Sequence, residues 1–273
     1  MTYNNLLFVG CGNMGGAMLD GWLASGIDPA TFTVMDPFLE QVPGGVTLTR
    51  EMPEREFDAL LLGVKPHMLG DLAADINQAV GSDTVIFSVL AGTELATLAK
   101  YFPDARAVVR VMPNLAAKLN KSPIALVGQG LDGSGLDEAG RDEAGAFFDR
   151  LGQAEWLADE QLFDLVTALA GSGPGFVYRF IDALAKGATE LGLPAEQAER
   201  LAVAMVDGAG ALAAASEHSP AELARRVASP GGVTQVGLDR LDRDGDMNRL
   251  MHETLRDAAA RSAEMAAEAR GEG

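Results

Sequence analysis

The chain has a single cysteine, Cys11, in 273 residues. An intramolecular disulfide is therefore impossible, and a cytoplasmic setting is the default expectation. Histidine is almost as scarce. His67, His218 and His252 stand far apart, and neither they nor Cys11 form a spacing suited to a metal, so no metal site is expected. Basic residues are few, 21 against 39 acidic ones, and the formal net charge is −18. This argues against nucleic acid and anionic membrane surfaces as partners, since both are held mainly by Lys and Arg. No apolar run approaches the ~20 residues of a membrane span. The opening Met1-Thr2-Tyr3-Asn4-Asn5 lacks a basic start, so no secretory signal is expected. Internal repeats and low-complexity linkers are lacking too.

What is present is apolar: 48% of residues, enough for extensive burial. The first part of the chain alternates short apolar strands with helix-length segments. Leu6-Leu7-Phe8-Val9 is one strand, followed by a Gly-rich turn and a helix to about Ser25. Phe32-Thr33-Val34-Met35, Ala59-Leu60-Leu61-Leu62-Gly63-Val64, Thr84-Val85-Ile86-Phe87-Ser88 and Ala107-Val108-Val109-Arg110-Val111 follow, with a weaker strand signal at 46–48. Near-continuous Val/Ile/Leu runs indicate strands covered on both faces, and the alternation indicates crossover helices. The fold class expected is α/β: an N-terminal doubly wound, mostly parallel Rossmann-type domain over residues 1–158, interrupted near its end by a polar loop at 128–137.

From about Asp159 the strands stop. Residues 161–170, 176–191, 196–216, 220–227 and 246–269 carry helical periodicity, are rich in Ala, and have Pro and Gly between them. Many of these faces are apolar on two sides, more than a free-standing bundle needs. Residues 159–273 are therefore expected to form an all-α dimerisation domain whose helices interlock with a second subunit, in a homodimer or higher oligomer. A self-contained bundle is the alternative.

Gly10-Cys11-Gly12-Asn13-Met14-Gly15 fits G-x-G-x-x-G. The pattern alone is weak, but here it follows the first strand and opens a helix, the context that dinucleotide binding requires. Gly10 permits the tight turn, Gly12 admits backbone to the pyrophosphate, and Gly15 lets helix and strand pack closely. The helix N-terminus offers N–H groups and a positive dipole end to the phosphates, so an acidic protein can hold an anion locally. Asp36 ends the second strand, 21 residues past Gly15, where a carboxylate accepts from both ribose hydroxyls of NADH and repels the extra phosphate of NADPH. No Arg or Lys lies in 37–45 to receive that phosphate. An Asp before Pro37 also suits a plain turn. Val64-Lys65-Pro66 and Ala91-Gly92 stand at the carboxyl ends of central strands, where such folds place ligands, with Lys65 a charge for the substrate or a solvated lysine. Asn114, after Arg110-Val111-Met112-Pro113, orients a ligand or caps a helix.

Two Gly-Pro clusters mark the helical half: Gly171-Ser172-Gly173-Pro174 and Ser229-Pro230-Gly231-Gly232-Val233-Thr234. Each leaves helix-start N–H groups accessible to a carboxylate; helix capping, with Ser229 as N-cap and Pro at N1, would also account for the second.

Together with the glycine turn, Val64-Lys65-Pro66 and Arg110-Val111-Met112-Pro113-Asn114, these clusters make the chain resemble pyrroline-5-carboxylate reductase along nearly its whole length, the Ser229–Thr234 segment being the most specific. The resemblance implies reduction of 1-pyrroline-5-carboxylate to proline by NADH or NADPH, in a pocket between the cofactor domain and helices of a dimer. It implies that Thr234 hydrogen-bonds the ring nitrogen and that Ser229, Gly231 and Gly232 hold the substrate carboxylate. Ser172 and Gly173 match a further substrate segment, and Glu217 matches an acidic position near the site. The chain departs from the family pattern at Gly175-Phe176, where Ala-Tyr is usual, at Arg226 for Asn, at Ala228 for Ser or Thr, and at Leu115 for Thr. Three alternatives stay open: a reductase of another cyclic imine or of a β-hydroxyacid, a non-catalytic dinucleotide-binding sensor, and a purely structural dimer, which would leave the glycine pattern unexplained. A β-hydroxyacid enzyme would want a lysine early in its helical half, and Lys186 is the only lysine after residue 160.

Overall fold

Leu6–Val9 (β1) is buried at every residue, and its side chains alternate between two layers. Leu6 and Phe8 enter one core with Trp22, while Leu7 and Val9 enter another with Leu60 and Ile86. Continuous apolarity thus serves a strand covered on both faces. Phe32–Met35 (β2), Thr47–Thr49 (β3), Ala59–Leu62 (β4), Val85–Ser88 (β5), Ala107–Met112 (β6), Ser122–Gly130 (β7) and Gly152–Trp156 (β8) complete one eight-stranded sheet. Its order is β3-β2-β1-β4-β5-β6-β7-β8, parallel at every step except the antiparallel β6–β7 pair. The order reverses between β1 and β4, and such a switch point opens a crevice at the carboxyl ends of the strands. The computed structural model describes residues 3–130 and 136–270, without the side chains of residues 269 and 270.

The helices of the sheet region are Asn13–Ala24 (α1), Leu69–Ile76 (α2), Leu95–Tyr101 (α3), Glu138–Phe148 (α4) and Phe163–Val166 (α5), the last running into a π-helical stretch at Thr167–Gly171. α1 and α4 cover one face of the sheet, α2, α3 and Phe163 the other. Trp22 is the keystone of the first face. It is fully buried, stacks on Phe147 at 4.5 Å, and donates its ring N–H to the Phe147 carbonyl at 3.0 Å.

The remaining helices are Gly173–Glu190 (α6), Ala195–Ala215 (α7), Pro220–Val227 (α8), Val233–Leu241 (α9) and Asp246–Arg270 (α10). The chain divides into two compact units, Met1–Gly171 with Ala258–Gly273, and Ser172–Asp257. In the second, α6 packs on α7 through a turn in which Gly192 takes φ +109° and its N–H reaches the Thr189 carbonyl, a left-handed helix stop. α8 starts as its sequence suggests, with Ser219 capping the Glu222 N–H and Pro220 at the first position. No described helix is long and apolar enough to cross a membrane.

Two expectations need correction. The loop expected at 128–137 begins later: residues 128–130 end β7, Asp137 caps α4, and 131–135 lie outside the described residues. β7 and β8 are additions to the strands that the sequence predicts. β7 opens on Ser-Pro and closes on Gly-Gln-Gly, and β8 is half-exposed at the sheet edge, so neither has the long apolar run of the central strands.

Candidate active site

The β1–α1 turn and the end of β4 meet backbone to backbone. Gly10 has φ +82°, and a Cβ on it would fall 2.9 Å from Val64 Cγ1; a Cβ on Gly63 would fall 2.6 Å from the Gly10 carbonyl. Gly12 differs, for a Cβ there would meet nothing within 4 Å, so its side toward the crevice is open floor. Gly12 is also the N-cap of α1 and offers no side-chain acceptor; the first helical bond runs from the Gly16 N–H to the Gly12 carbonyl. The N–H groups of Asn13, Met14 and Gly15 thus have no acceptor within the helix, and they sit at its positive end, a receptor for a pyrophosphate. Gly15 is less demanding than its place in the motif suggests: a Cβ would rest 3.5 Å from Cys11 Sγ, ordinary contact.

Beside this turn lies a cavity of about 760 Å³, with Gly10, Gly12, Asp36, Val64 and Lys65 in its wall. The Asp36 carboxylate accepts the Cys11 N–H at 2.9 Å on one oxygen, and the Phe38 and Leu39 N–H groups at 2.9 and 3.2 Å on the other. It therefore braces the turn after β2 against the glycine turn as well as facing the cavity. Arg50 lines the same cavity and donates to the Asp36 carbonyl at 2.9 Å. It stands 14 residues from Asp36 in sequence, beyond the loop 37–45 that follows β2. Asn13 lines a shallower recess of about 490 Å³ with Cys11, Asp20 and Leu115, while Met14 packs on the core. Cys11 itself is buried, and its thiol is pushed up to about 11, by burial first and then by Asp36 and Asp20. It stays protonated at neutral pH and is no nucleophile.

Other expected residues stand elsewhere. Pro66 begins a one-turn 3-10 helix, Pro66–Met68, whose His67 and Met68 line the cavity while Pro66 itself does not. Ala91 is exposed after β5, and Gly92, at φ +72°, faces the end of α10, where a Cβ would lie 3.0 Å from Ala266 Cα. Asn114 is buried. Its side-chain oxygen caps the Ala116 N–H at 2.9 Å and its amide N–H holds the Ala170 carbonyl at 3.0 Å. It ties the end of β6 to the π-helical stretch ahead of Ser172, a role that a cap reading alone does not cover. Nearby Arg110, also buried, pairs with Glu160 at 2.7 Å and lies 3.8 Å over the Phe163 ring.

In the second unit, Ser229, Gly231, Gly232 and Thr234 gather in one turn. Gly231 takes φ +69°, the Gly232 N–H reaches the Ser229 carbonyl at 2.9 Å, and a Cβ on Gly232 would lie 2.4 Å from Ser229 Oγ. Gly232, not Ser229, is the N-cap of α9, and no side chain caps it. Pro230 lies ahead of the helix rather than at its first position. Thr234 follows in the first turn, exposed. α6 begins in the same uncapped manner, at Ser172-Gly173-Pro174. Glu217 is exposed just past α7, and among the described residues no hydrogen bond or ion pair ties it to the α9 turn. Of the departures, Arg226 is engaged by Glu222 on its own helix at 3.1 Å, and Phe176 lines an apolar groove between α6 and the start of α10. Among the described residues, no group of three or more His, Cys, Asp or Glu side chains is placed to hold a metal.

Comparison with known proteins agrees with this arrangement. The profile of pyrroline-5-carboxylate reductase dimerisation matches residues 160–265, and that of NADP oxidoreductase, coenzyme F420-dependent, matches residues 5–92. The chain is 32% identical to the pyrroline-5-carboxylate reductase of Pseudomonas aeruginosa over 97% of its length and 98% of the relative's. It is 33% identical to pyrroline-5-carboxylate reductase 2 of Bacillus subtilis over 94% of each. The solved pyrroline-5-carboxylate reductase of Coxiella burnetii superposes with a TM-score of 0.86 at 28% identity, over 97% of this chain and 98% of the other. A doubly wound sheet with an open glycine floor, a helical half with an uncapped Pro-Gly-Gly-Val-Thr turn, and full-length identity above 30% lead to one conclusion: this chain belongs to the pyrroline-5-carboxylate reductase family.

Proposed function

We propose that the chain reduces 1-pyrroline-5-carboxylate to L-proline with a reduced nicotinamide dinucleotide, the last step of proline synthesis. The observation that carries this reading is the α9 turn, where helix-start N–H groups without a side-chain cap and the Thr234 hydroxyl lie together in one exposed turn. The N–H groups beyond Gly231 and Gly232, with the Ser229 hydroxyl, fit a carboxylate. Thr234 hydrogen-bonds the ring nitrogen and so orients the imine carbon. Ser172 and Gly173, at the start of α6, supply a second small-residue wall, and Glu217 supplies an acidic group at the edge. The glycine turn fits the cofactor, because only an open floor at Gly12 leaves room for a pyrophosphate over the α1 N-terminus. When bound, the cofactor supplies the hydride; the chain supplies orientation and electrostatics. A protonated imine is electrophilic enough to need no covalent nucleophile, which accords with a Cys11 held as thiol.

Residues 1–158 serve the cofactor in this reading, and residues 159–273 serve the substrate and subunit pairing. NADH is the preferred reductant, on the strength of the Asp36 carboxylate in the cavity wall. The working state is a cytoplasmic homodimer or higher oligomer, supported by the many large apolar side chains that the helical unit leaves exposed. A β-hydroxyacid substrate is disfavoured, because Lys186 is paired with Asp182 at 2.8 Å on the surface of α6. The decisive experiment is the initial rate of reduced-cofactor oxidation with 1-pyrroline-5-carboxylate, with NADH and NADPH run in parallel. Rapid turnover with a lower Michaelis constant for NADH is expected. Cofactor binding without turnover would redirect the search to other cyclic imines.

A further inference from the structure

β2 and β3 run parallel with Met35 beside Thr49, so the residues that follow them emerge at the same end of the sheet. Those residues are Asp36 and Arg50. The Asp36 carboxylate already accepts three backbone N–H groups, which leaves about one of its four acceptor positions for a ribose hydroxyl. Arg50 is less committed. Of its five N–H donors, one is bound to the Asp36 carbonyl, and among the described residues Arg50 joins no ion pair. The cavity wall also contains the carboxylates of Glu51 and Asp75, and its other full cation, Lys65, stands at the end of β4. On the β2–β3 side the guanidinium is therefore the one full positive charge in the wall among the described residues, and it follows the strand that pairs with β2.

We propose that Arg50 is the specificity-determining cation of this cleft: it binds an anion carried on the 2′ position of the adenosine ribose, and so keeps the phosphorylated dinucleotide usable beside the plain one. The planar guanidinium suits a phosphate, which it meets with two N–H groups at once. Asp36 and Arg50 then act in opposite senses on the same atom of the ligand. Removing Arg50 shifts the choice further toward NADH.

The inference rests on reading this cavity as the dinucleotide cleft, and a binding measurement separates the two. Full-length protein is titrated calorimetrically, without substrate, with NADH, NADPH and adenosine 2′,5′-bisphosphate, as wild type, Arg50→Met and Arg50→Lys. Arg50→Met is expected to weaken NADPH and the bisphosphate by ~10-fold or more, the loss of a charge-assisted pair, with NADH changed less than about twofold. Arg50→Lys should fall between, keeping the charge without the paired donors. The unchanged NADH affinity shows that the variant has folded. Equal losses for NADH and NADPH would make Arg50 a brace for the Asp36 carbonyl, and no loss for either would remove it from the site; both outcomes overturn the proposal. If wild type binds neither dinucleotide, the cleft reading itself falls, and the proposal with it.

Discussion

The two compact units treat their apolar residues in opposite ways. In the first, every residue of β1, β2, β4 and β5 is buried, and the cores on both faces of the sheet close within the unit. In the second, α6, α8 and α9 bury no residue at all, and α7 buries only Ala198 and Ala202. Leu212 is 71% exposed there and Val233 is 94% exposed, against 0% for Trp22. The first unit takes its stability from its own side chains. The second has apolar surface of the kind that only another surface can remove from water, at roughly 25 cal/mol per Å². One sequence thus encodes a self-sufficient half and a half whose large apolar side chains stay exposed in the single chain.

The strongest way to break the first half is at its keystone. Trp22→Ala removes a fully buried ring that also holds the Phe147 carbonyl, and should cost about 3–5 kcal/mol in urea denaturation. The same loss should appear at every protein concentration. The second half should respond to concentration instead. Leu212→Glu places a charge on the exposed face of α7, leaves the isolated chain folded, and should abolish assembly, measured by light scattering, with activity falling about 100-fold. A variant that stays oligomeric and active would show that this face is not part of an interface.

This contrast also explains which features the sequence makes legible. β1, β2, β4, β5 and β6 are readable because two-sided burial demands mainly apolar runs, broken here only by single polar residues such as Arg110, and the glycine turn because its neighbours are consecutive. The helices of the second half are readable by period, since an apolar stripe repeats at helical spacing whether or not the chain itself covers it. β8 escapes because an edge strand needs no such run. Arg50 escapes for a topological reason: its place beside Asp36 follows from the parallel pairing of β2 with a three-residue β3, not from the loop that directly follows Asp36. Asn114 is half legible. Its cap on Ala116 is local, whereas its hold on Ala170 spans 56 residues.

Within the second half, the turn that begins α9 is the place to test chemistry apart from assembly. Thr234→Ala removes one hydroxyl from an exposed first turn and disturbs no buried contact. It should lower kcat or raise KM about 10- to 100-fold, the loss of one hydrogen bond of ~1.5–3 kcal/mol to a charged group, and leave light scattering as it was. Unchanged kinetic constants would remove Thr234 from the mechanism.

The smallest effect is expected at the residue that looks most reactive. Cys11 sits inside the glycine turn, next to the open floor at Gly12, yet burial, Asp36 and Asp20 push its thiol up to about 11. A thiol with that pKa is only ~0.1% ionised at pH 8, against roughly a quarter for an unperturbed cysteine, and the thiolate is the reacting form. Alkylation by iodoacetamide should therefore run at least ~100-fold slower than in the urea-unfolded chain at pH 8, the buried sulfur adding a barrier of access. The rate should climb steadily as pH rises toward 11. Cys11→Ala should change NADH affinity less than about twofold, since the turn uses this residue's backbone N–H, donated to Asp36, and not its sulfur. Fast alkylation at pH 7, or a large loss of affinity in Cys11→Ala, would mean that the sulfur faces the cofactor and that the first half is more open at its turn than its buried core implies.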